Sequence, residues 1–202
     1  MAQPSRRQVV CLCGWLLPAL ALRRAPAGAQ GLGTFPGAAD APKACKPDEK
    51  ATPAAPAGPD YRARPPRRSS LIEPGVTGPR LVLTGTVSGL TCGPIKNANV
   101  EFWQADARGA YDRAGFRLRG QQVTDATGHY RLETIVPGAS GKRAPTVHVR
   151  VQPPRRSAFT TQLFFPGAPQ NTGDPAFRPE LAMTVTERSD GLTATFDIVL
   201  DI

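Results

Sequence analysis

The sequence predicts an all-β chain: an antiparallel β-sandwich over residues 80–202, preceded by an extended Pro/Ala-rich arm over 30–79 and an export signal over 1–29. Three observations carry this reading. After Arg80 the chain breaks into short runs rich in β-branched and aromatic residues, separated by Gly, Pro, Asn and Asp. No stretch there keeps a helical period. Residues 30–79 hold ten of the 22 prolines, a density that rules out regular helices and central strands.

The N-terminal 29 residues come first in order. SRRQVV, then the apolar run VVCLCGWLLPALAL, then APAGAQ, is the layout of an export signal, with a cut expected after Ala29. The apolar run falls short of the roughly 20 residues a membrane-spanning helix needs. The paired Arg6 and Arg7 favour the twin-arginine route, and an ordinary Sec signal with a basic start is the alternative. Either route places the mature chain in the periplasm or outside the cell.

The signal also accounts for much of the charge. Net charge is +9, but Arg6, Arg7, Arg23 and Arg24 lie in a segment without acids, and removing them leaves 21 basic against 16 acidic residues. The densest basic cluster, YRARPPRR, is broken by prolines, which argues against a nucleic-acid surface built of interleaved basic and aromatic residues. Cys11 and Cys13 leave with the signal. Cys45 and Cys92 then form an even pair in an oxidising compartment, where a disulfide is expected and isolated cysteines make a poor zinc site.

Seven runs make up the predicted body: LVLTGTVS, NANVEFWQA, GQQVTDA, GHYRLETI, TVHVRVQ, FTTQLFF and LTATFDIVLDI. In TVHVRVQ, Val147, Val149 and Val151 share one face, so Thr146, His148 and Arg150 share the other. His148 is one of only two histidines. The second, His129, alternates with Arg131 and Glu133 and reads as solvent-facing, whereas Tyr130 shares a face with Leu132 and reads as core.

Taken in order, LTGTV, TCGPIKNANVEFWQADARGAYD, QVTDATGHYRLETIVPG, RAPTVHVRV and TTQLFFPG resemble the intradiol ring-cleavage dioxygenases, the catechol and protocatechuate enzymes. GPDYRARPPRRSSL resembles the approach segment of exported members. The resemblance implies a β-sandwich and, in active members, a non-haem Fe(III) held by two tyrosines and two histidines, which activates a catecholic substrate for O2 attack between its hydroxyl-bearing carbons. Phenolate and imidazole donors suit a ferric ion.

The resemblance carries over only in part. Tyr111, in WQADARGAYD, matches the first ligand tyrosine. The second falls on Ser140 in PGASGKR. Arg143 matches the arginine that helps polarise bound substrate. The His-x-His pair reads Thr146, Val147, His148, so only its second histidine is present. Gln162 matches a glutamine that stands behind the ligands. Two readings follow: a dioxygenase whose Tyr111 and His148 hold iron while a small aromatic diol completes the coordination, or a non-catalytic relative whose sandwich serves as a binding or structural module. Oligomeric state is left open.

Overall fold

In a computed structural model of the chain, residues 50–58 and 60–202 are described; the predicted export signal, most of the early arm and Cys45 lie outside them. Nine strands follow in order: β1 (Arg80–Gly89), β2 (Asn99–Gln104), β3 (Arg119–Val123), β4 (His129–Ile135), β5 (Thr146–Gln152), β6 (Phe159–Phe164), β7 (Thr184–Arg188), β8 (Gly191–Thr195) and β9 (Ile198–Leu200). Two short 3-10 turns, Pro169–Gly173 and Pro179–Leu181, are the only helical elements among the described residues.

The strands form two sheets, one ordered β4-β1-β8-β7 with β9 also on β1, the other β3-β2-β5-β6. Pairing is antiparallel except where β1 meets β8 and β9, which run parallel to it. The run LTATFDIVLDI therefore yields two strands. They part at Phe196 and Asp197, where the Asp197 carboxylate accepts from the backbone N–H and hydroxyl of Thr86 at 2.9 and 2.8 Å. Gly85 lies opposite this break. A Cβ there would stand 1.8 Å from the Phe196 carbonyl oxygen, so the approach of two backbones requires glycine.

Side-chain alternation explains the core. Leu81, Leu83 and Val87 of β1 meet Val100 and Phe102 of β2 and Val147, Val149 and Val151 of β5, all fully buried between the sheets. As predicted, Tyr130 belongs to this core, its hydroxyl donating to the Phe196 carbonyl at 2.6 Å. His129 sits half-buried on β4, in the sheet that does not carry His148.

The second sheet is buried on both faces, as the unbroken burial of β2 shows. Its outer face is covered by the described part of the segment before β1. Residues 52–56 hydrogen-bond to β9 and β6, through Thr52 N–H to the Val199 carbonyl and Ala55 N–H to the Thr160 carbonyl. Residues 66–71 then pair with two edges in turn: Arg68 N–H with the Gln121 carbonyl of β3, and Leu71 N–H with the Glu133 carbonyl of β4. This segment has no strand of its own, yet it caps three sheet edges that would otherwise present unpaired amides. Cys92 occupies the β1–β2 turn with φ 63°.

Candidate active site

The site lies on the arm-covered face of the second sheet. Strand register lines up Arg119 of β3, Trp103 of β2, His148 of β5 and Gln162 of β6 in one row. These four side chains point away from the valine core because they alternate with it. All are nearly inaccessible to solvent.

Tyr111 enters from the β2–β3 loop. Its hydroxyl and His148 Nε2 are 2.8 Å apart. Burial, foremost, pushes the Tyr111 hydroxyl above its usual range, with Asp60 adding to the rise, while the Thr146 hydroxyl, Arg143 and Arg119 oppose it. Burial, followed by the positive charges of Arg143 and Arg119, holds His148 down to about 3. Both groups are therefore neutral at physiological pH. Phenol is the better donor and imidazole the better acceptor, so the Tyr111 O–H donates to Nε2 and the imidazole proton resides on Nδ1. Among the described residues that N–H has no partner. Trp103 stacks on the other side of the ring, 5.0 Å between centroids and 12° from parallel.

Arg143 and Gln162 form a second pair. Arg143 Nη2 donates to Gln162 Oε1 at 2.8 Å, and Gln162 Nε2 donates to the Pro56 carbonyl of the arm at 3.0 Å. Arg143 Nε is held by both oxygens of Asp174, at 3.0 and 2.9 Å. Asp174 also accepts from the N–H groups of Ala144 and Ala176. A cavity of about 340 Å³ adjoins this pair, with apolar walls from Ala54, Pro56, Pro175 and Leu181. Arg143 and Gln162 line it; Tyr111 and His148 lie behind them and do not.

Thr146 is buried beside the Tyr111 hydroxyl. Ser140 is half-buried in the Ser140–Arg143 turn, whose ends exchange backbone hydrogen bonds. That turn packs on the loop carrying Tyr111: Gly109, at φ 86°, leaves no room for a Cβ, which would lie 1.9 Å from the Ala139 carbonyl. Tyr111, Thr146 and His148 thus converge on one point, Arg143 and Gln162 on a neighbouring one, and Ser140 stands at the turn between the two loops. Asp174, Arg119 and Tyr61 went unpredicted. Tyr61 packs on Trp103, 5.0 Å between centroids, and its hydroxyl donates to the buried Glu101 at 2.8 Å. Each has a decisive partner distant in sequence, Arg143 for Asp174, Asp60 for Arg119 and Glu101 for Tyr61, so no local pattern marks them.

The donor set does not fit a ferric centre. One phenol and one imidazole are hydrogen-bonded to each other, and the other two expected positions carry neutral alcohols, which are weak ligands for Fe(III). Among the described residues no cluster of three or more His, Cys, Asp or Glu side chains could hold a metal ion.

Comparison with known proteins places this geometry. The family model described as Dioxygenase matches residues 57–146. The beta chain of protocatechuate 3,4-dioxygenase from Burkholderia cepacia is 34% identical, over 61% of this chain and 65% of its own length. Catechol 1,2-dioxygenase from Acinetobacter baylyi is 29% identical, over 70% and 56% respectively. The chain thus spans between about half and two thirds of these curated relatives. Among solved structures, the dioxygenase domain of a dioxygenase carbohydrate-binding protein fusion from Streptomyces sp. SirexAA-E is 44% identical, with a TM-score of 0.74, covering 76% of this chain and 99% of that one. An intradiol ring-cleavage dioxygenase from Tetranychus urticae is 25% identical, with a TM-score of 0.68, covering 75% and 94%.

Proposed function

Because the chain belongs to the intradiol ring-cleavage dioxygenase family, we propose that it is an exported member that keeps a pocket for a small aromatic diol and has given up ferric ring cleavage. The observation that carries this reading is the 2.8 Å hydrogen bond between Tyr111 and His148, which occupies the two remaining donors with each other. The cavity beside Arg143 and Gln162 supports the binding half: its apolar walls accept an aromatic ring, and the guanidinium and amide offer polar contacts to its hydroxyls.

A second reading keeps the iron, because Tyr111 and His148 present their donor atoms to one point. The two readings separate in one experiment. Mature protein is loaded with Fe(III), desalted, and assayed for bound iron, visible absorbance and catechol binding. Trp103, the only tryptophan after residue 29, reports the last through its fluorescence. The proposal expects no retained iron and a saturable quench by catechol. Retained iron with a tyrosinate charge-transfer band and O2 uptake would establish the second reading instead, and neither iron nor quench would end both.

The same reading pairs Cys45 with Cys92 in a disulfide, the even pair left once the export signal is removed. In the chain-entropy model, a loop of roughly 47 residues contributes about 3 to 4 kcal/mol. Alkylation of unreduced mature protein is expected to add no label at either cysteine, and two labelled thiols would rule the bridge out.

A further inference from the structure

A second cavity, of about 450 Å³, opens beside the Tyr111 loop and is lined by Asp60, Tyr61, Arg62, Asp112, Arg113 and Arg119. Arg119 is its unusual member. The residue is 2% exposed, and among the described residues its guanidinium forms no ion pair. Nη1 donates to the Asp60 carbonyl at 2.7 Å and Nη2 to the Asp112 carbonyl at 2.8 Å, while Nε–H is buried without an acceptor.

The two carboxylates of the wall stabilise its charge from a distance but do not bond to it. Asp112 is taken by the N–H groups of Ala114, Gly115 and Arg117, and Asp60 accepts from Arg113 Nε at 3.1 Å. Arg62 likewise spends its donors on carbonyls, at 2.5 Å to Ala114. Three guanidinium groups therefore face two committed carboxylates. A buried N–H without an acceptor is costly, and three guanidinium groups against two carboxylates leave one positive charge in excess, so an anion would satisfy both. Stapling the two loops needs only Nη1 and Nη2, which leaves Nε–H for something else.

We propose that this cavity binds a small oxyanion, either the carboxylate of an organic molecule or an inorganic phosphate, anchored on Arg119 Nε–H, with Arg62 and Arg113 adding positive charge from the solvent side. Its size admits a single small organic anion, and guanidinium is the side chain best suited to forked oxyanion contacts. Neither Tyr111 and His148 nor Arg143 and Gln162 line this cavity, so its failure would leave the proposed function standing.

The test follows the Arg119 Nε–H resonance of 15N-labelled mature protein, identified by its loss in Arg119→Lys. Benzoate and inorganic phosphate are titrated separately, with chloride at matched ionic strength as the control. The expected result is a saturable shift with at least one of the two; which one answers decides between carboxylate and phosphate. Arg62→Gln should weaken that binding several-fold, through loss of one nearby positive charge. No saturable shift with either anion, or a drift that chloride reproduces, would overturn the proposal and leave water as the partner of Nε–H.

Discussion

Replacing Ser140 and Thr146 together, Ser140→Tyr with Thr146→His, is expected to produce a protein that retains Fe(III) and shows a visible charge-transfer band, neither of which the proposed function expects of the wild type. Thr146 and His148 are two residues apart on β5 and share its arm-covered face, so a histidine at 146 would aim its ring at the point where Tyr111 and His148 already meet. Thr146 is 4% exposed and lies beside the Tyr111 hydroxyl, which aims a side chain there at the pair and leaves it little space. The larger ring should therefore cost about 1–3 kcal/mol of stability in the unloaded protein. A tyrosine at 140 would extend from the turn packed on the Tyr111 loop. Each added donor should raise iron affinity by more than about 100-fold, the upper end of what a merely supporting group contributes. Adding Tyr111→Phe to this background should remove the band. A restored variant that still retains no iron after Fe(III) loading would show that residues 140 and 146 do not face the Tyr111–His148 point.

Asp174→Ala is expected to lower unfolding stability by about 2–4 kcal/mol at pH 7. The carboxylate has no exposed surface, and its loss strands the Ala144 and Ala176 N–H groups and the Arg143 Nε–H. Arg143 is 44% exposed and can recover some hydration, which places the effect below that of a fully buried pair. The acid is also a source of pH dependence. Burial raises the Asp174 carboxyl, but the Arg143 hydrogen bonds and the two N–H groups outweigh it and hold the group below the ordinary aspartate range. A depressed folded value means that its stabilisation is complete above the unfolded pKa of about 4 and is lost as pH falls through the folded value. Urea unfolding of wild type and Asp174→Asn from pH 7 to pH 3 should accordingly converge at the acid end. Equal stabilities at pH 7 would contradict the role given to this carboxylate.

How much of this was legible in the sequence depends on what each residue answers to. The alternation in β1 and in TVHVRVQ fixed which side chains reach the core, because burial and the pleat share one period. It also put His148 on the face opposite the valines. Strand β7 was missed: TVTER lies at a sheet edge with only Val185 partly buried, so it shows little alternation. The parallel seating of β8 and β9 on β1 leaves no local trace either, since parallel partners lie far apart in the chain. Among the described residues the arm forms no strand, yet carbonyls accept hydrogen bonds whether or not a proline follows, so composition could not show where the arm docks. Tyr111, Ser140, Arg143, Thr146, His148 and Gln162 were identified through family resemblance. Only the structure adds the Asp174 clamp on Arg143 and the buried guanidinium of Arg119.

The arm has a consequence in time as well as in space. Its hydrogen bonds join residues far apart along the chain: Thr52 to Val199 across 147 positions, Pro53 to Thr161 across 108 and Pro56 to Gln162 across 106. Contacts of such separation close late, because the entropy of each long loop must be met before the contact rewards it. Synthesis from the N-terminus makes the cover before its seat. Until β9 has emerged and settled on β1, Trp103, Glu101 and the edges of β3, β4 and β6 have nothing to cover them, and the Tyr111–His148 face is the last part of the molecule to become dry.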